Sequence, residues 1–244
     1  MTILFMFLGL LTLVVPRPLG LTALRCLGPA AFTLAIWAAG AAGVAPADVA
    51  ALALTSAAAG LAFTPAVGDA LVDGASYGPE RRLALRPPVA LLLGPVPLAW
   101  ALLAAGAVTG PLLLAAEKWV PGGLALVVGL PVAAGAARAL HGLARRWLVV
   151  LPGGVVVHDH MAVSDPVLVP RRSVAHVGPA RPGSDAVDLT VGAAGLALEL
   201  ALSEPVELVQ ARRGREPANA VAASAVLVTP SLPSTAVEAI TQGP

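Results

Sequence analysis

The chain is short of charge, aromatic rings, lysine and cysteine, and each shortage removes a class of function. Charged residues make up 12% of its 244 positions, against roughly 25% in a water-soluble domain, so an ordinary soluble protein is excluded. Aromatic residues are 4% of the chain, too few to stack the bases of a single-stranded nucleic acid. The formal net charge is +1, which supplies no field to gather a polyanion, and no nucleic-acid partner is expected. Cys26 is the single cysteine; it has no second thiol for an internal disulfide or a thiolate metal cluster. Lysine occurs once, at Lys118, beside fourteen arginines, and with the wealth of Ala, Gly and Pro this bias indicates a GC-rich bacterial genome. No phosphate-binding Walker loop, no dinucleotide-binding glycine pattern and no GxSxG nucleophile elbow occur. The chain is expected to have no cofactor, and a membrane enzyme, less favoured than a non-enzyme, would have only the cluster at His158 and His160 behind it.

What is abundant is apolar sequence: 57% of residues are hydrophobic and mean hydropathy is +0.85. That composition belongs to an integral membrane protein. Five apolar stretches are candidate spans, near 1–15, 27–45, 49–67, 88–108 and 120–137. Met1 to Val15 would give a helix of about 22 Å, short for a core of about 30 Å. It lacks the basic start and small-residue cleavage site of a signal peptide, so a retained span is preferred. The second and third stretches are separated only by AlaProAlaAsp ending at Asp48, which predicts a helical hairpin. The third is rich in Ala and carries Thr55, Ser56, Gly60 and Pro65, the composition of a helix inside a bundle. Pro88 to Ala116 would run about 44 Å as one helix, so breaks are expected at Gly94 to Pro97 and at Gly110-Pro111, leaving one kinked span near 88–108 and a short interfacial piece after Val108. Gly106 and Gly110 form a GxxxG pattern suited to close helix packing.

Two polar stretches interrupt the apolar ones. Gly68 to Pro87 reads as a solvated loop, and Tyr77, Glu80, Arg81 and Arg82 within it could meet an anionic partner. RALHGLARRW, Arg138 to Trp147, reads as the border between membrane and water. On a helix Arg138, His141 and Arg145 share one side, and Arg138, Arg145, Arg146 and Trp147 are candidates for the lipid interface, where arginines meet anionic headgroups and a Trp sits at headgroup depth. With five spans, eight arginines (Arg17, Arg25, Arg81, Arg82, Arg86, Arg138, Arg145 and Arg146) flank the spans on one side, against Lys118 on the other. The positive-inside rule then predicts a bacterial inner-membrane protein with its N-terminus outside and the residues after the border cytoplasmic.

From Trp147 onward the period changes from helical to alternating, and 147–244 is expected to be a small β-rich domain able to fold alone. WLVVLP and VVVHDH around Gly153-Gly154 predict a hairpin. Val187, Leu189 and Val191, and then Leu196, Leu198, Leu200 and Leu202, predict two half-buried strands joined by a turn at Ala193 to Gly195. Shorter strands are expected at Val167 to Val169, Ser173 to Val177, Val206 to Val209 and Ala223 to Thr229. Ala211 to Asn219 is expected to be a mobile loop, and Ser234 to Thr241 a closing helix capped by Ser234. His158, His160 and Asp165 are the one His/Asp concentration; two imidazoles and a carboxylate could touch a metal, but no fourth ligand is evident and no metal is expected.

The passages GGVVVHD and PVLVPRRSVAHVGPA, followed by further short strands and a last helix, resemble bacterial pleckstrin-homology-like domains. SYGPERR, LGPVPLAWALL and RALHGLARRW resemble an uncharacterised family of multi-pass membrane proteins of high-GC Gram-positive bacteria. The resemblance implies a membrane helix bundle carrying a small barrel, a scaffold or regulatory module with a protein partner and with anionic lipid at its cytoplasmic face. Its first hairpin loop, Pro152-Gly153-Gly154, lacks the Lys and Arg of phosphoinositide-binding relatives. A small transporter or channel subunit built on the kinked fourth span is the alternative.

Overall fold

The computed structural model describes residues 16–42, 45–211 and 219–244. The expected first span, Met1 to Val15, lies outside them, as do residues 212–218 of the expected mobile loop. Among the described residues the helices are α1 (Pro18–Ala42), α2 (Pro46–Ala62), α3 (Pro65–Asp73), α4 (Val89–Leu93), α5 (Pro95–Ala115), α6 (Trp119–Leu143) and α7 (Pro233–Gln242). The strands are β1 (Arg81–Ala84), β2 (Trp147–Leu151), β3 (Gly154–His158), β4 (Val167–Pro170), β5 (Val174–Pro179), β6 (Val187–Asp188), β7 (Leu198–Gln210) and β8 (Asn219–Val228). They form two compact units, one of Leu19–Phe63 and Ala90–Ala144, the other of residues 16–18, Thr64–Val89 and Arg145–Pro244.

The helical unit corrects the five-span expectation. Among the described residues two helices, α5 and α6, are long and apolar enough to cross a membrane, or three candidates if α2 and α3 are counted as one broken span. The causes are local. Helix α1 begins at Pro18, so Arg25 falls inside it and not before it. Asp48 is no linker residue: its carboxylate accepts from Ala45 N–H at 2.9 Å and closes the first turn of α2. Helix α2 ends at Ala62 because Thr64 caps the next helix and Pro65 starts it. The break foreseen at Gly94 to Pro97 is present, between α4 and α5. It precedes the long helix, so the kinked span over 88–108 is in fact an uninterrupted Pro95–Ala115 that carries Pro111.

Helix α5 is apolar on all sides, α6 is so as far as Arg138, and the two meet through glycines. A side chain on Gly106 would strike the carbonyl of Gly129, one on Gly129 would lie 2.6 Å from Gly106 O, and one on Gly110 would lie 2.6 Å from Leu126 Cγ. The GxxxG pattern therefore allows backbone-to-backbone approach, the contact that membrane helices use when lipid offers no hydrophobic drive. Leu98, Leu112, Val120, Leu124 and Val127 stay exposed, as a span facing hydrocarbon requires. Elsewhere in this unit Arg25 donates to Ala62 O at 3.1 Å and lies over the Phe63 ring.

The β unit is mainly strand and ends in α7. It holds two four-stranded sheets, in the orders β1-β2-β3-β4 and β5-β7-β8-β6, and β6 runs parallel to β8. The first strand comes from the stretch expected to be a loop: Gly68 to Pro87 contains the end of α3 and all of β1. The hairpin β2–β3 forms as predicted, with Leu151 opposite Gly154. Inward side chains Leu83, Leu148, Val150, Val155 and Val157 of one sheet join Leu198, Leu200, Leu208, Val226 and Val228 of the other, and Ala236, Ala239 and Ile240 of α7, in one core.

Two expected details fail for reasons visible in the backbone. Strand β6 does not pair with β7, because the chain turns sharply after Asp188. The Asp188 carboxylate accepts from Thr190 N–H at 2.7 Å, and Val191 and Gly192 adopt positive φ, a conformation a strand cannot hold and a β-branched residue rarely adopts. Of the four alternating leucines, only Leu198 and Leu200 reach the core, since β7 begins at Leu198 and its register slips between Ala201 and Val206. Helix α7 begins at Pro233 with Leu232 as its cap, so Ser234 lies inside it.

Candidate functional site

The polar chemistry of the β unit gathers around β1. This strand is at the edge of its sheet, with Leu83 opposite Leu148 and Ala84 opposite Trp147. Its odd-numbered N–H groups face β2, so those of Arg82 and Ala84 face outward. Asp69 and Asp73, four residues apart on one face of α3, meet both: Asp69 accepts from Ala84 N–H at 2.9 Å and Asp73 from Arg82 N–H at 2.8 Å. One helical turn and two strand residues span similar lengths, so two carboxylates close the edge against a further strand. Neither aspartate was singled out by periodicity, because nothing local reveals which strand an aspartate will cap.

Burial, the largest influence, raises the Asp69 carboxyl from 3.8 to about 6; the Ala84 N–H bond and Arg81 act the other way, while Asp73 adds to the rise. Helix α3 belongs to the β unit and is neither of the two helices, α5 and α6, long and apolar enough to cross a membrane. A carboxyl raised in the folded state holds its proton to higher pH than in the unfolded chain, so its contribution to stability is full below about 4 and is lost as pH rises through 6. Asp69→Asn keeps an acceptor for Ala84 N–H without the charge. The variant should gain on the natural chain between pH 4 and 7 and hold a constant lead above, measured as unfolding midpoints across that range. A lead independent of pH would refute this assignment.

A second cluster lies on the outward face of the same sheet. The Arg82 guanidinium sits 5.7 Å from the centre of the Trp147 ring, which packs on His158 with centroids 4.9 Å apart. Glu80 accepts from Arg82 Nη2 at 2.8 Å and from Tyr77 N–H at 2.7 Å. Of the four loop candidates, Glu80 and Arg82 are thus engaged with each other, while Tyr77 and Arg81 are exposed. His158 is held below the usual imidazole range, first by burial and then by the positive charges of Arg145 and His160, with Asp159 opposing.

The lipid-interface candidates divide. Arg138 and Arg145 are exposed. Arg146 and Trp147 are buried in the β unit, because α6 ends at Leu143 and the chain is already extended at Trp147. The Arg146 side chain is 1% exposed and that of its partner Asp159 is 0%. Their guanidinium and carboxylate pair in bidentate fashion, Nε to Oδ1 at 2.8 Å and Nη2 to Oδ2 at 2.7 Å, and the third nitrogen donates to Arg86 O at 2.9 Å. Asp159 Oδ1 also accepts from Met161 N–H at 3.0 Å.

In the HisAspHis stretch the central aspartate is therefore the structural residue, and it passed unnoticed between the histidines. His158 ends β3 against Trp147, His160 stands exposed in the following turn, and Asp165 is exposed farther along. Among the described residues no group of three or more His, Cys, Asp or Glu side chains could hold a metal ion. No family model, curated protein or solved structure matches the chain.

Proposed function

We propose that this chain is a membrane-anchored scaffold or regulatory protein, in which α5 and α6 cross the bilayer as a hairpin and hold the β unit in the cytoplasm. The observation that carries the reading is the β1–β2 ladder. Residues 64–89 and 145–244 build one folded unit, Arg146 bonds to the carbonyl of Arg86, and chain segments sharing a sheet occupy one compartment. The chain between them must then cross the membrane an even number of times, and it contains the two helices suited to crossing. The charges support the orientation. Arg81, Arg82, Arg86, Arg138, Arg145 and Arg146 flank the hairpin at its two ends, against Lys118 at its turn, which puts the ends inside. A β unit whose buried charges serve its own core, and whose cations lie on its surface, is suited to contact and not to chemistry.

Reporter fusions test the arrangement. A fluorescent protein joined after Pro244 should be bright, and a phosphatase inserted next to Lys118 should be active outside the cell. Reporters active in the same compartment would remove the hairpin, and phosphatase activity after Pro244 would reverse the orientation. Purified chain in liposomes should move no solute; measurable flux would replace the scaffold with a transporter.

A further inference from the structure

The outward face of the first sheet carries apolar side chains that the core leaves out. Strand register sets Arg82, Val149, Val156 and Leu168 in one row across β1 to β4. The last three are absent from the core, and Leu168 is 52% exposed. In the adjacent row stand Trp147 and His158, with the Arg82 guanidinium over the Trp147 ring and the charge of Arg145 acting on His158. An apolar row bordered by Arg82 and Arg145 matches the cross-section of a bilayer surface, acyl chain below and phosphate above.

We propose that this face, Val149, Val156 and Leu168 with Arg82 and Arg145 at its border, is a contact surface for anionic lipid. It rests on the reading that α6 spans the membrane. Two observations favour lipid as the occupant. Arg145 stands exposed at the border, beside an Arg82 whose charge Glu80 already offsets. Arg145 follows the last residue of α6, Leu143, by two positions, so the chain cannot carry it more than about 7 Å from that helix end.

Spin labels in the full chain test the assignment. In a Cys26→Ala background, nitroxides are attached at Leu168→Cys, at Ala222→Cys on the exposed side of β8, and at Leu102→Cys in α5, and the protein is placed in nanodiscs of phosphatidylcholine with phosphatidylglycerol. The label at 168 should collide with a water-soluble nickel chelate several-fold less than the label at 222, and more with oxygen. Replacing phosphatidylglycerol by phosphatidylcholine, or Arg145→Gln, should weaken the docked state, the latter by about fivefold. Nickel access at 168 equal to that at 222 overturns the proposal, as does shielding from both nickel and oxygen, the mark of a protein cover. Shielding that ignores both the lipid change and Arg145→Gln overturns the headgroup contact. The label at 102 separates the two readings: if it too is open to nickel, the spanning hairpin fails; if it is lipid-buried while 168 is open, the lipid face alone fails.

Discussion

Arg146→Met should destabilise the β unit by about 3–5 kcal/mol, the cost of leaving a buried carboxylate without its cation. Asp159 lies among backbone donors with its side chain sealed from water, and a methionine neutralises none of its charge. The loss extends past the pair, since the Arg86 carbonyl loses a donor as well. The double variant Arg146→Met/Asp159→Leu should recover most of that loss, because an apolar pair of similar volume avoids the desolvation that the ion pair had to overcome. Urea unfolding of the detergent-solubilised chain, followed by the circular dichroism of its sheets, measures both. A single variant as stable as the natural chain would show that the pair is structurally idle. A double variant as unstable as the single would show that Arg146 acts through packing and not charge.

The second large effect concerns where the β unit begins. A fragment of residues 147–244 should fail to fold as a soluble protein, contrary to what its alternating strands suggest. It lacks β1, and so exposes the edge of β2 with its hydrophobic ladder partner Leu83 gone from the core. It also lacks Arg146, and with it the cation for Asp159. The missing segment reaches the second sheet too: Arg86 N–H donates to Thr229 O at 2.9 Å and Ser231 N–H to Ala84 O at 2.8 Å. A chain joining residues 64–89 to 145–244 through a Gly/Ser linker should be soluble and give a cooperative thermal transition. Dispersed amide resonances from 147–244 alone would disprove the dependence.

Some of this could be read from residue order, because its causes are local. Apolar runs long enough to cross a bilayer, the break at Gly94 to Pro97, the glycine pair at 106 and 110, and the β2–β3 hairpin depend on neighbours within a few positions, and each is present in the fold. The candidate site was mostly illegible. Arg146 looked like its neighbour Arg145, since both follow the end of an apolar helix; only the path of β3 brings Asp159 to one and not the other. Asp69 and Asp73 looked like loop acids until a strand was set beside them.

From its sequence alone, the chain was committed to helices long and apolar enough to cross a membrane and to strands after Trp147, because composition and period act without regard to distant partners. Tertiary structure decided the recruitment of Arg81–Ala84 into a sheet and the burial of Arg146. Those outcomes depend on contacts between segments some sixty residues apart, whose formation turns on the loop-closure cost and on which partner is available to a buried charge or an open strand edge.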